Sequence, residues 1–382
     1  MKDPYYFDDE DWINTLGRGD KSDFEDLFDE KYSEIDEDRA KASVKTRFER
    51  NGEPEHRLFR AIVDAFSPNG SAEGSDSGFE TTIINPLYEF GQESAEILLA
   101  KKQVRSVHLC FVCCEIGGEN YDKWRSNINK VESVLQSEGN RTALKNHLDC
   151  EGLDLKTVQY LTITRDRDLM DVDMDVLKLG TTPDNYAVWK LMESELPGSE
   201  DQDDEDQIVK HHDGNIEHPD LHEVAVDGLD YTLVDNDDIR FSLTSHPIFP
   251  LGDVFLQILL NQIGSNDHPD EFNKSNFISV YRDKIQLGEN RDELDEVLDT
   301  KIREILQLAC DADILQEEGE EFDTERDYRL VWDSDEPKDI KDAVREKYFK
   351  YKAPEQRGSL AFDRAKDEFE RVESQLDGFG ND

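Results

Sequence analysis

Positive charge is what this 382-residue sequence has little of: 44 Lys and Arg stand against 91 Asp and Glu, a formal net charge of −47. In ordinary salt that balance works against partners that present phosphates, because such binding draws on Lys and Arg displacing counterions. Long apolar runs are missing as well. No eighteen consecutive apolar residues occur, so no membrane-spanning helix and no membrane partner are expected. The first ten residues are acidic and aromatic, where a secretory signal needs a basic start and an apolar stretch, so a cytoplasmic location is expected. Cysteine is scarce: five residues, with Cys150 and Cys310 isolated from Cys110, Cys113 and Cys114, make no disulfide framework, in keeping with a reducing compartment.

What is present is enough apolar residue for a core. Leu, Ile, Val and Phe make up about a quarter of the chain, above the roughly 20% below which disorder is the expectation. Acid spread along the whole length, not gathered in one tail, reads as a halophile-type surface whose carboxylates hold water and cations in molar salt. At ~1 M salt the Debye length is about 3 Å, so self-repulsion is largely screened. Counterion release then gains little, and acidity no longer excludes DNA.

The pattern along the chain predicts five parts. Residues 1–50 form an acidic N-terminal helical extension, with Phe24, Leu27, Phe28, Tyr32 and Ile35 on one helical face. Residues 51–196 read as an α/β domain with a mixed sheet. A helix over 54–66 opens it, with Pro54 in its first turn, and a turn-rich loop covers 67–78. β-rich runs at 79–90, 95–101 and 107–116 follow, then a helix over 120–137 and strands at 157–164 and 186–191. The run VHLCFVCCEI (107–116) is apolar on both faces and reads as a central strand, while YAVWKL (186–191) reads as an edge strand. Residues 197–220 form an acidic linker. Residues 221–336 begin with two or three short strands up to 244, then helices at 253–263, 274–286 and 290–310, then two strands around an acidic turn, the winged-helix order. Residues 337–382 form a helical tail with a basic and aromatic segment.

Three acids fall at telling places. Glu55 starts the first helix, Glu96 sits in AEILLA on the second strand, and Glu115 ends the apolar third strand, where a carboxylate is not buried without a partner. On these elements and acids the region 51–196 resembles the PD-(D/E)xK nuclease superfamily, the restriction-endonuclease-like fold. The resemblance implies a magnesium ion held by Glu55, Glu96 and Glu115, polarising a phosphodiester and acidifying the attacking water, with Glu96 and Glu115 catalytic. The chain departs from the pattern at two points: Gly117 stands at the usual lysine position, and Glu96 where an Asp is usual. Lys123, at the start of the next helix, is the replacement lysine that the resemblance offers.

Other clusters carry less. Cys110, Cys113 and Cys114 alternate across a strand and read as small core residues, not a metal set. His211, His212, His218 and His222 read as belonging to a solvated loop. The third helix of the winged-helix order has Arg291, Lys301 and Arg303 among six acids, a poor phosphate surface, so a protein partner or a homodimer through this domain stands beside DNA. Residues 338–357 carry seven basic against four acidic residues. There Lys338, Lys341, Arg345, Lys347, Lys350 and Lys352 interleave with Tyr348 and Tyr351, a set suited to phosphate contact with base stacking; packing of the aromatics as one face of an amphipathic helix is the other reading. Two functions remain open: a nucleic-acid protein, either a metal-dependent DNA endonuclease or a nuclease-derived DNA-binding protein, and a non-catalytic winged-helix regulator or scaffold.

Overall fold

The structure, a computed structural model, describes residues 10–67, 76–92, 94–116, 121–165, 169, 185–192, 207–231, 241–262, 270–285, 295–318, 327–331 and 336–379. The chain divides into two units. One takes Arg50–Ile258 with Lys274–Ile305, and the other takes Met1–Glu49, Leu259–Asn273 and Leu306–Asp382.

The first unit is built on a mixed seven-stranded sheet in the order β1 to β7. Its strands are β1 (Glu80–Ile84), β2 (Ile97–Lys102), β3 (Ser106–Cys114), β4 (Asp154–Arg165), β5 (Tyr186–Met192), β6 (Gln207–Gly214) and β7 (Leu229–Tyr231). β1, β2 and β3 pair antiparallel, β3, β4 and β5 parallel, and β5, β6 and β7 antiparallel. The period of two along each strand sorts side chains onto two faces. Ile97, Leu99, Cys110, Val112, Cys114, Leu161, Ile163 and Trp189 share one core with α4 (Glu53–Ala65) and α7 (Pro219–Asp227). Leu98, Leu109, Phe111, Cys113, Tyr160 and Val188 share the other with α5 (Tyr121–Gln136) and α6 (Glu138–His147). β3 is buried on both faces because helices cover both sides of it, as its unbroken apolar run requires.

The second unit brings the two ends of the chain together. α1 (Glu10–Thr15), α2 (Arg18–Glu34) and α3 (Glu37–Arg47) precede a single π turn, Phe48–Gly52, and the 40-residue α11 (Ile340–Phe379) closes the chain. Asp36 caps α3 by accepting the Arg39 N–H at 2.6 Å. Phe24, Phe28 and Ile35 pack with Ala353, Ala361, Phe362 and Ala365 of α11. Trp12, Phe24, Phe362 and Phe369 meet edge to face, with Phe24 centroids 5.0 Å from Trp12 and 5.4 Å from Phe362. Such pairs contribute about 0.5–1.5 kcal/mol each beyond area burial. Pro354 inside α11 withdraws one N–H from its ladder, and the helix continues through it. A three-stranded antiparallel sheet, order β8-β10-β9, belongs to the same unit: β8 (Glu271–Asn273), β9 (Leu315–Glu318) and β10 (Asp327–Leu330). Of the neighbouring helices along the chain, α9 (Lys274–Ile285) belongs to the first unit, while the division between the units falls within α8 (Ile248–Gln262) and within α10 (Asp295–Asp311).

The mixed α/β class is as the sequence predicts, and so is the order of the elements from α4 to β5 except for α6 (Glu138–His147), a second helix before β4 that the sequence reading did not include. The five-part division is not as predicted. β5 is interior, because residues 207–214 of the expected linker form β6 and pair with it from Ala187 to Met192. Trp189 is fully buried in consequence. Only Ile208 and Val209 mark β6 as apolar in the sequence, and an acidic run before it obscures them. Residues 219–227, the end of that linker and the start of the expected short strands, are helical; of those strands only β7 is present among the described residues. The N-terminal extension is no separate part, since its apolar stripe is buried against α11. Most of the loop read at 67–78, the linker residues 197–206 and the acidic turn at 319–326 lie outside the described residues.

Candidate functional site

Glu55 stands in the first turn of α4, three, four and seven residues before the buried Leu58, Phe59 and Ile62, and so lies on the face of the helix that these residues turn inward. Glu96 directly precedes β2. Its backbone N–H donates to Val112 O at 2.9 Å and its carbonyl accepts the Asn85 N–H at 2.8 Å, so both edges of the residue are tied. Its Oε2 accepts the Cys114 N–H at 2.5 Å, and its Oε1 accepts the Thr244 hydroxyl at 3.3 Å. Glu115 continues β3: its N–H donates to Ile163 O at 2.9 Å, and its Oε1 accepts from Asn127 Nδ2 at 3.4 Å.

These three half-buried carboxylates line one cavity of about 90 Å³, together with Asn85, Ser94, Cys113, Asn127 and Thr244 among others. Among the described residues, none that lines it carries a positive charge. The Cys114 thiol beside it is pushed well up, first by complete burial and then by the charges of Glu96, Cys113, Glu55 and Glu115. The thiol proton is thus held by apolar walls and by the same three acids. Among the described residues, no three His, Cys, Asp or Glu are drawn into a metal-holding set. Carboxylates that share a cavity without a counter-charge repel one another, and a cation is what would draw them to one point. Three carboxylates, three amides (Asn85, Gln92, Asn127) and three hydroxyls (Tyr88, Ser94, Thr244) line the cavity beside the Cys113 thiol, and the three carboxylates are hard oxygen donors that fit Mg²⁺ or Mn²⁺ better than a thiolate-loving ion.

Backbone strain gathers at this cavity. Asn85 at φ 56° and Ala95 at φ 58° are two of the four residues other than glycine held in the left-handed region among the described residues, and both line it. Such positions cost on the order of 1 kcal/mol or more each and persist where surrounding contacts over-determine them. Here the Ala95 turn sets Ser94 and Glu96 on either side of itself.

The sequence expectation thus brings Glu55, Glu96 and Glu115 to one place. Lys123 lies in α5, with its side chain outside the described residues, as is Gly117. Asn85, Ser94, Asn127 and Thr244 were not foreseen. A signal for Asn127 was available: it shares the α5 stripe with Trp124, Ile128 and Val131, and an amide on an apolar stripe implies a buried partner. Asn85 and Thr244 are brought in by tertiary contact, Asn85 Oδ1 accepting the Leu243 N–H at 2.9 Å.

The basic and aromatic segment is differently placed. Tyr348 is buried, which pushes its hydroxyl up to about 12, and Phe349 packs on Phe48 with centroids 5.6 Å apart. The aromatic face is therefore largely core, the amphipathic-helix reading, and Tyr348 is withdrawn from base stacking. Tyr351 is exposed, with Lys352 Nζ 5.7 Å from its ring centroid. Arg345 lies over the Phe48 ring, and Lys347 donates to Asp313 O at 2.6 Å and Val331 O at 2.5 Å. Lys338 pairs with Glu336 and Lys352 with Glu355, each at 2.6 Å. Lys341 is half-buried and Lys350 exposed on the same helix.

The histidines read as loop are in ordered elements: His211 on β6 and His218 at the start of α7. His218 is buried edge-on to His108 of β3, centroids 4.5 Å apart, with Lys101 bonded to Asp220 beside them. The cysteines of β3 are buried core residues, as expected, and all five are free thiols. No helix among the described residues is long and apolar enough to cross a membrane. No family model matches this chain, and no curated protein or solved structure matches it either.

Proposed function

We propose that this protein is a divalent-cation-dependent phosphodiesterase acting on DNA, with a nuclease core of the PD-(D/E)xK kind. The observation that carries the reading is the convergence of Glu55, Glu96 and Glu115, from α4, the start of β2 and the end of β3, on one cavity with no positive side chain among the described residues that line it. A bound Mg²⁺ or Mn²⁺ would polarise a phosphate oxygen and lower the pKa of an attacking water. The three carboxylates hold the ion. Asn127 keeps Glu115 turned toward the cavity through Oε1, and the Cys114 N–H and Thr244 hydroxyl fix both oxygens of Glu96, so little rotamer freedom is lost on binding. Lys123 is the proposed lysine beside the water. Along the chain, helix, strand, two helices and two strands follow one another over residues 248–330 in winged-helix order, and we read the segment as such a module on that order. It serves here as the DNA-positioning or protein-contact element.

The test is cleavage of plasmid and single-stranded DNA in molar KCl with Mg²⁺ or Mn²⁺, beside Glu115→Gln. Removing one ligand charge is expected to lower the rate by about 10²-fold or more. Equal activity in the variant removes the site assignment, and no cleavage with either metal leaves the regulator or scaffold reading.

A further inference from the structure

Two polar atoms in this cavity have no hydrogen-bond partner although they are buried: Asn85 Nδ2 and Ser94 Oγ. Each residue is only 7% exposed. A buried donor left unmade costs about 1–3 kcal/mol, and proteins rarely carry two in one place without a ligand to receive them. Neither orientation is accidental. Asn85 gives Oδ1 to the Leu243 N–H and its backbone N–H to Glu96 O, so its amide nitrogen is the end left over, and it can only donate. Ser94 is held by the strained turn at Ala95, one residue from Glu96.

Donors facing a cavity with three carboxylates call for a second kind of ligand. We propose that Asn85 Nδ2 and Ser94 Oγ bind a non-bridging oxygen of a phosphate ester, and that they do so only after a divalent cation occupies the carboxylates. This rests on the proposed function and deepens it by naming the positioning residues and the order of binding. The order follows from charge. With no Lys, Arg or His among the described residues that line the cavity, an anion entering ahead of the cation would meet three negative groups and two neutral donors there. Once the cation is held, the phosphate oxygen gains an ionic partner, and the two donors fix its direction at low reorganisation cost. A cavity of about 90 Å³ has room for roughly three waters, the scale of an ion and one phosphoryl oxygen with its neighbours. The pair adds two neutral donors to the charge proposed for Lys123, in a chain with Gly117 at the usual lysine position.

The experiment uses the full chain in molar KCl. Mn²⁺ binding is read from the electron paramagnetic resonance of the free ion, and phosphodiester binding from ³¹P relaxation of a thymidine dinucleotide with and without Mn²⁺. The wild type is expected to bind Mn²⁺ and to relax the phosphorus only when Mn²⁺ is present. Ser94→Ala should bind Mn²⁺ as the wild type does, and the dinucleotide about tenfold more weakly, the loss of one hydrogen bond to a charged group. Asn85→Asp keeps the acceptor for Leu243 and the tolerance for positive φ but removes the donor and adds a charge. It should hold Mn²⁺ at least as tightly and the dinucleotide more than tenfold more weakly, a split that simple loss of structure would not give. Unchanged dinucleotide affinity in both variants overturns this inference while leaving the cation site standing, as does dinucleotide binding to the wild type without metal. Failure of the wild type to bind Mn²⁺ overturns the inference together with the function on which it rests.

Discussion

Gly214 offers a sharp test of the sheet that carries the site. It ends β6 at φ 91°, opposite Ala187 of β5. A Cβ built there would stand 2.3 Å from Tyr186 O and 2.7 Å from Ala187 Cα, both backbone atoms that no rotamer change can move aside. The strands would have to part by at least about 0.7 Å to reach the 3.0 Å limit of real Cβ contacts. The same carbonyl accepts the Asn215 N–H at 2.9 Å, a bond the displacement breaks. The left-handed backbone costs Ala about 1–2 kcal/mol and a lost buried hydrogen bond about 1–3, so Gly214→Ala should cost about 3 kcal/mol. For a unit of this size that lowers Tm by roughly 6–12 °C. Gly91→Ala is the control: φ is 69° but nothing lies within 4 Å of the added carbon. It should therefore show the backbone cost alone, about 1 kcal/mol. The assay is thermal unfolding followed by circular dichroism in molar KCl. Equal, small shifts in the two variants would mean that residues 207–214 do not pair with β5, and the seven-stranded sheet would be wrong.

Two further outcomes are expected. Phe24→Ala removes a buried ring that meets Trp12, Phe362 and Phe369 edge-on, and should destabilise the unit joining the chain ends by about 3–5 kcal/mol in denaturant unfolding; a loss under about 1 kcal/mol, far below the range for a packed Phe, would separate the N-terminal helices from α11. Burial, with the charges of Lys101 and Lys156, holds both imidazoles below their ordinary pKa of 6.5, His218 lowers His108 further, and Asp220 opposes the shift in each. The unfolded chain then takes up protons near 6.5 that the folded one refuses. The stability contributed by the neutral pair is present above that pH and is lost as pH falls through it toward the lower folded values. Between pH 8 and 5.5, a window above most carboxylate titration, Tm should fall less in His108→Gln than in the wild type; parallel curves would refute the coupling.

Composition and periodicity determined a good deal by themselves. The absence of long apolar runs, the double-faced apolarity of β3 and the stripes of α4 and α5 follow from short-range rules, because each element's pattern reports which of its faces is buried. Those patterns placed α4, β2 and β3, and the resemblance to a nuclease core then picked out Glu55, Glu96 and Glu115 at their ends, which share one cavity. What they do not report is a partner distant in sequence. Ile208 and Val209 are too brief a signal to announce a strand, and only pairing with β5 makes them one. Tyr348 looked like a stacking platform beside its lysines, but the burial that removes it depends on how α11 packs. The donors Asn85 and Ser94 are ordinary turn residues in the sequence. Their significance comes from the left-handed backbone at 85 and 95 and from Leu243, more than 150 residues on, because hydrogen-bond satisfaction is a property of the assembled cavity and not of any one segment.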